Sequence, residues 1–274
     1  MKLIIFFSVV IILGIFALFF FQSRLLFYPT SLDKNYVFKF DVPFEEKFIS
    51  YGDQEIIHGL LFKPAYPTGR ILYFHGNGGA LDSWGYAAAE LAQKLNHEVL
   101  ILDYPGYGKS SGNLPTSEKA LYESGAAALK ELVASTDSTL PIILYGRSLG
   151  TAVASYLASK NVVQGLILET PYLSIKAMAA GMLPLIPSFL VRYDMDNQKN
   201  ILNLTIPLLV IHGTTDAVIP YSHAERLVKE SPKSNLITID GGGHNDLSNF
   251  PQYWESIEKF INVLKTKSQV DLNK

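Results

Sequence analysis

The chain has 274 residues, 48% of them hydrophobic and 18% charged, with a formal net charge of −2 and no cysteine. That length suits one large α/β domain, and no linker, charge block or repeat divides it. Near-neutral charge gives no footprint for nucleic acid, and the absence of cysteine excludes disulfides, thiolate zinc sites and a cysteine nucleophile.

Leu3 to Phe21 is an uncharged apolar run broken only by Ser8 and Gly14, with Lys2 before it and Arg24 after it. As a helix it would be roughly 28 Å long, close to the ~30 Å hydrocarbon core of a bilayer. A cleaved signal would carry a shorter apolar stretch and small residues at its end, whereas this run ends in Phe19-Phe20-Phe21-Gln22. The expectation is an uncleaved single-pass anchor holding the chain to the lipid bilayer through residues 3–21. The basic residues on its two sides nearly cancel, so the positive-inside bias points only weakly to a cytoplasmic amino terminus with the domain outside.

Beyond Arg24, short apolar runs alternate with segments of helical period. Phe44–Ser50 and Glu55–Phe62 read as a strand pair turned at Tyr51-Gly52-Asp53. Further strands are predicted at Arg70–Phe74, Glu98–Leu102, Pro141–Tyr145, Val163–Leu168, Pro207–Ile211 and Asn235–Ile239. They are rich in Ile, Leu and Val and mostly do not alternate, as expected of strands buried on both faces. Helices are predicted at Asp82–Lys94, Thr116–Ala134 (capped by Thr116 or Ser117), Leu149–Ser159, Tyr221–Glu230 and Pro251–Lys265. Such alternation implies a mostly parallel sheet with helices on both faces, and sites gathered at the carboxyl ends of its strands. The expected division is an anchor at 1–24, a juxtamembrane segment at 25–43, one domain at 44–266 with a lid-like segment at 170–204, and a tail at 267–274.

Gly146-Arg147-Ser148-Leu149-Gly150 lies between a predicted strand and a predicted helix. In that context G-x-S-x-G is a strained turn that lifts Ser148 above the sheet, with glycine where a side chain would clash. A serine hydroxyl needs a base, and six histidines compete. His58 and His97 belong with strands, His223 with an exposed helix, and His75 and His212 with turns at strand ends. His244, in Gly241-Gly242-Gly243-His244-Asn245 after the last strand, is the candidate base. Asp216, just past Pro207–Ile211, is the candidate acid that holds the imidazole. Asp103 is the rival, although its neighbours Tyr104–Gly108 suggest a turn-forming role, and Asp246 stands too near His244 in sequence to face it. Phe74-His75-Gly76-Asn77-Gly78-Gly79 resembles an HGGG-type oxyanion loop. The Leu149 N–H would be one oxyanion donor, and the other that of Asn77, with Gly78 as the alternative. The chemistry calls for no cofactor and no metal.

The set Tyr73–Gly79, Asp103–Gly112, Gly146–Gly150, His212–Asp216 and Gly241–Asp246 resembles the α/β-hydrolase superfamily. Within it, the chain is similar to the small-lid, membrane-anchored branch of depalmitoylase-like and serine aminopeptidase-like hydrolases. The resemblance covers Phe44 to Leu264 and rests also on the order serine, acid, histidine. It implies an α/β-hydrolase fold preceded by one transmembrane helix, with Ser148, Asp216 and His244 catalytic and Asn77 and Leu149 at the oxyanion. It says little about substrate; the acyl-transfer chemistry itself suits an ester, thioester or amide bond, and the tether suggests an apolar or acylated substrate near the membrane. The segment from Glu169 to Leu204 carries Met178, Met182, Leu183, Leu185, Ile186, Phe189 and Leu190. It reads either as a core-packed helix broken by Pro184 and Pro187 or as a wall for an apolar acyl group. An acyltransferase on the same residues and a tethered non-catalytic binding protein are the readings from other classes. Ser148 stands where a dehalogenase would need a carboxylate.

Overall fold

The computed structural model describes residues 2–52, 54–112, 117–134, 140–183 and 187–272. Eight strands form one sheet in the order β1-β2-β4-β3-β5-β6-β7-β8. They are β1 (Phe44–Tyr51), β2 (Glu55–Phe62), β3 (Arg70–Phe74), β4 (Glu98–Leu102), β5 (Ile142–Arg147), β6 (Gly165–Glu169), β7 (Leu208–Gly213) and β8 (Ser234–Ile239). β1 and β2 form the antiparallel edge, and every other neighbouring pair from β4 to β8 is parallel. The hairpin turns through Gly52 in a left-handed conformation, and Asp53 lies outside the described residues.

Alternate residues of the central strands enter two separate cores. Leu72, Phe74, Leu144, Leu166, Leu168 and Val210 face one, and Ile71, Tyr73, Ile143, Ile167, Leu209 and Ile211 face the other. Because both faces need apolar side chains, these strands carry no polar alternation. The first core is covered by α3 (Glu118–Ala134), α4 (Gly150–Ala158) and α7 (Ser222–Glu230), and the second by α2 (Leu81–Leu95) and α8 (Pro251–Leu272).

Strand positions follow the sequence expectation to within two residues, and four differences concern helices. The chain opens with α1 (Lys2–Leu26), a single helix that runs past the anchor boundary at residue 24. The backbone of the expected span at 3–21 is helical throughout, and most side chains between 3 and 18 are outside the description. Among the described residues, no helix is long and apolar enough to cross a membrane. α3 begins at Glu118, where the Ser117 hydroxyl accepts the Ala120 N–H at 3.1 Å, and Thr116 lies outside the described residues. α8 continues through Lys265 and the expected tail to Leu272.

The fourth difference is the lid-like segment, which folds as α5 (Ile175–Met182), a 3-10 turn at Ser188–Leu190 and α6 (Asn197–Ile201). α5 is the expected core-packed helix ahead of Pro184, whereas α6 was not expected because it is short; each is marked chiefly by its cap, since Ser174 accepts the Ala177 N–H and Asp196 the Lys199 N–H. Ile175, Ala177 and Met178 pack against the first core, while Met182, Leu183 and Phe189 are exposed. Pro184, Leu185 and Ile186 lie outside the described residues. One row of α5 therefore packs on the core, and its carboxyl end presents apolar surface.

Candidate active site

Ser148 occupies the sharp turn between β5 and α4 with φ of 51°, a conformation that L-residues rarely adopt. The flanking glycines are required by distance. A Cβ on Gly146 would lie 2.5 Å from the Gly150 carbonyl oxygen, and one on Gly150 would lie 2.1 Å from that of Phe74. The turn also brings Gly76 against the serine, since a Cβ there would stand 3.5 Å from Ser148 Cβ.

The structure brings Ser148, His244 and Asp216 together, although they follow three different strands. His244 Nε2 is 3.1 Å from Ser148 Oγ, and His244 Nδ1 is 2.8 Å from Asp216 Oδ2. A carboxylate only accepts, so the imidazole proton sits on Nδ1 and leaves Nε2 free to take one from the hydroxyl. The Asp216 side chain is fully buried and that of His244 is 12% exposed. Burial acts against charge on Asp216, but hydrogen bonds from His212, His244 and the Ile219 N–H outweigh it. They hold the carboxyl well below the usual carboxylate range. Its other oxygen accepts the N–H groups of Val218 and Ile219, each at 2.8 Å.

The remaining histidines have structural partners. His212 Nε2 lies 2.9 Å from the Ile219 carbonyl and 3.2 Å from Asp216 Oδ2, so this nitrogen faces two acceptors and carries the proton. His212 thus shapes the Asp216 turn, as its place at a strand end suggests, and it also touches the acid itself. His75 is buried between Trp84 and Tyr104, and burial pushes it down to about 4. His97 is buried with Nδ1 against the Leu95 carbonyl and is likewise pushed down to about 4 by burial. His58 is buried against Glu46. The expectation of an exposed His223 is corrected: it is half-buried, and its Nδ1 accepts the Leu173 N–H because the loop after β6 folds over α7.

Asp103 and Asp246 stand apart from this trio. Asp103 is buried, accepts the Leu81 N–H, and is raised above the usual carboxylate range by burial. A Cβ on Gly108 would overlap its carboxylate, the close approach that makes Tyr104–Gly108 a tight turn. Asp246 accepts the Gly243 N–H at 2.7 Å and so closes the glycine loop that carries His244.

At the expected oxyanion positions, the Leu149 and Asn77 N–H groups have no acceptor in the chain among the described residues. The Gly78 N–H, the alternative donor, is instead engaged by Asn77 Oδ1 at 2.9 Å. Among the described residues, no group of three or more His, Asp or Glu side chains is placed to hold a metal ion. A cavity lined by Glu118, Tyr122, Tyr156 and Lys199 lies between α3, α4 and α6 and shares no residue with Ser148, Asp216 or His244.

Two residues of the site were not anticipated. Arg147, the variable position before the serine, reaches back with its guanidinium to the His244 carbonyl at 3.2 Å and to Asn245 Oδ1 at 2.9 Å. Glu169, the last residue of β6, pairs with Arg147 Nε at 3.2 Å and accepts hydrogen bonds from Tyr145 and Tyr253. The available signal was a charge at the carboxyl end of two neighbouring buried strands, where an unpaired charge would be costly.

Residues 71–203 match the model of the Alpha/beta hydrolase family, and residues 191–261 that of the TAP-like protein. Alpha/beta hydrolase domain-containing protein 17C of Mus musculus is 34% identical over 210 residues, covering 74% of this chain and 63% of that protein. Its Xenopus tropicalis counterpart is 34% identical over 212 residues, covering 74% and 65%. The chain thus spans a little under two thirds of the length of these relatives. Among solved structures, an esterase of Pyrococcus furiosus superposes with a TM-score of 0.71 at 16% identity, covering 88% of this chain and 98% of that one. Mouse Alpha/beta hydrolase domain-containing protein 10 gives 0.59 at 19% identity, covering 81% and 99%. With a parallel sheet of this order and a strained serine turn at its centre, the chain has the α/β-hydrolase fold, and just under half of it matches the Alpha/beta hydrolase family model.

Proposed function

We propose that this chain is a serine hydrolase that cleaves an ester or thioester of an apolar acyl group through an acyl-enzyme on Ser148. The observation that carries the reading is the continuous line Ser148 Oγ, His244 Nε2, His244 Nδ1, Asp216 Oδ2, with separations of 3.1 and 2.8 Å at its two junctions. His244 takes the hydroxyl proton as Ser148 Oγ bonds to the substrate carbonyl carbon, and Asp216 stabilises the imidazolium. The Leu149 and Asn77 N–H groups receive the negative charge on the carbonyl oxygen. His244 then returns the proton to the departing alcohol or thiol as the acyl bond breaks. Water, deprotonated by His244, attacks the acyl-enzyme and releases the acid and free Ser148. These steps call on no metal or cofactor.

The apolar acyl preference is supported by Met182, Leu183 and Phe189 at the exposed end of the lid-like segment. Flexible methionine suits a surface that adapts to a chain. The resemblance to depalmitoylase-like hydrolases agrees with it. In the same reading, residues 1–24 anchor the chain to the bilayer through 3–21, residues 25–43 join the anchor to the domain at 44–266, and the domain faces outward from the cell. The charge-free run from Leu3 to Phe21 supports the anchor.

The test is labelling with a fluorophosphonate, together with turnover of p-nitrophenyl esters and acyl thioesters of increasing chain length. Native protein should label and turn over, and Ser148→Ala should do neither. Equal labelling of the variant would remove Ser148 from the chemistry. Partition of acyl groups to added alcohols in preference to water would identify an acyltransferase instead. Complete protection of a carboxyl-terminal tag from protease in intact cells would reverse the orientation.

A further inference from the structure

The oxyanion loop is built from residues that do not fix their own conformation. Gly78 and Gly79 both have positive φ, at 82° and 76°, and Gly76 precedes them. A donor in such a loop is useful only if something outside it removes that freedom, because preorganisation gives an oxyanion site its effect. Trp84 Nε1 donates to the Gly78 carbonyl from α2 at 2.8 Å, and the chain that leaves α1 holds the residue that carries the donor. Asn77 Nδ2 donates to the Leu26 carbonyl at 2.5 Å, one of the last carbonyls of α1, which has no partner within its own helix. Asn77 Oδ1 accepts from the Tyr28 N–H at 3.3 Å and the Tyr107 hydroxyl at 3.0 Å. The Gly79 N–H then donates to the Tyr28 carbonyl at 3.2 Å, and the Thr30 N–H to the Gly79 carbonyl at 3.0 Å. The same segment continues across to the neighbouring turn, where the Gly108 N–H donates to the Thr30 carbonyl and the Leu32 N–H to the Gly108 carbonyl.

We infer that residues 26–32 form a strap that fixes the oxyanion donor, and that the Asn77 side chain is the positioning group that fastens it. The inference rests on the serine-hydrolase reading and goes beyond it. The Asn77 amide is committed on both ends to the strap and its neighbours, and the backbone N–H of the same residue is left without an acceptor. Residue 77 therefore has two separable roles: its main chain faces the reacting oxygen, and its side chain ties that main chain to the end of α1. A displacement of α1 relative to the domain would be transmitted through the Leu26 and Tyr28 contacts to the oxyanion site. The position of the amino-terminal helix thereby becomes a determinant of turnover.

The experiment uses the full-length chain with p-nitrophenyl butyrate as substrate, and turnover is normalised to active sites titrated to completion with a fluorophosphonate. Asn77→Ala keeps the backbone N–H and releases the strap. It should lower kcat per titrated site by about 10- to 100-fold, leave KM within about twofold, and weaken inhibition by a trifluoromethyl ketone by the same factor as kcat. A merely structural role would lower the melting temperature or the titrated fraction while kcat per site stayed at the native value, and that result would overturn the proposal. Tyr107→Phe, which removes a single hydrogen bond to Asn77 Oδ1, provides a milder variant should Asn77→Ala fail to fold. Its kcat per site should fall by roughly two- to fivefold, and an unchanged value would likewise count against the strap. Ser148→Ala separates the two levels. If it turns over normally the hydrolase reading fails, whereas if it is silent and Asn77→Ala is fully active per site, only the strap fails.

Discussion

The guanidinium of Arg147 is held by Glu169 and in turn holds the backbone of His244: Nε lies 3.2 Å from Glu169 Oε1, and a terminal nitrogen lies 3.2 Å from the His244 carbonyl. The residue next to Ser148 thus grips the loop that carries His244. Tyr145 and Tyr253 complete the carboxylate's surroundings from below the sheet rim. Burial works against the charge on Arg147, but Glu169 outweighs it, and the guanidinium stays ionised.

Arg147→Lys keeps the charge and loses the fork that spans Glu169 and the His244 loop. It should lower kcat/KM by roughly tenfold with a small change in stability. Glu169→Gln removes the buried counter-charge and should destabilise the fold by about 3 kcal/mol. Urea unfolding of both variants beside esterase kinetics checks the pair, and a stable Glu169→Gln protein would show that solvent reaches the site.

Gly76→Ala places a methyl group 3.5 Å from Ser148 Cβ and 3.0 Å from the Trp84 ring. The ring is the end of a side chain and can move by a few tenths of an ångström, so the fold should lose no more than about 1 kcal/mol. The space beside the nucleophile is taken, however, and kcat/KM should fall by at least about tenfold. Thermal unfolding together with kinetics separates the two effects. A fully active variant would mean that substrate does not approach along this side.

Asp216→Asn should lower kcat by about 10³- to 10⁴-fold, because an amide presents a donor as readily as an acceptor to the imidazole and the needed tautomer is lost. In the native protein the Asp216 carboxyl is held well below the usual carboxylate range and stays ionised across the working pH. The acid limb of log kcat/KM against pH should therefore have unit slope, set by a single protonation at the base. A slope of two from pH 5 upward would show that Asp216 also gains a proton there.

His75 and His97 are buried neutral and pushed down to about 4. In the unfolded chain a histidine titrates near about 6.5. Between these values the unfolded state binds more protons, so stability is fully present above about pH 6.5 and declines as pH falls toward 4. The slope is at most about 1.4 kcal/mol per pH unit for each group. His97→Gln should shrink the difference in urea stability between pH 7 and pH 5, and an unchanged difference would show that His97 does not contribute.

The strands, the serine turn and the candidacy of Ser148, His244 and Asp216 are legible in the chain because each leaves a local mark. Strands buried on both faces appear as unbroken Ile, Leu and Val runs, and a turn with no room for a Cβ must carry glycine at 146 and 150. Loops that follow predicted parallel strands share the carboxyl rim, and this singles out His244 and Asp216 as candidate partners of Ser148. What remained hidden was every contact between residues distant in sequence and unmarked in kind. Arg147 reads as a variable position until Glu169 and His244 are seen on either side of it. Asn77 reads only as a backbone donor in a glycine-rich loop until its side-chain amide is found on the carboxyl end of α1. A hydrogen bond leaves no periodicity in the chain, and which of several possible partners a buried charge or amide takes is decided only when packing brings the elements to contact distance.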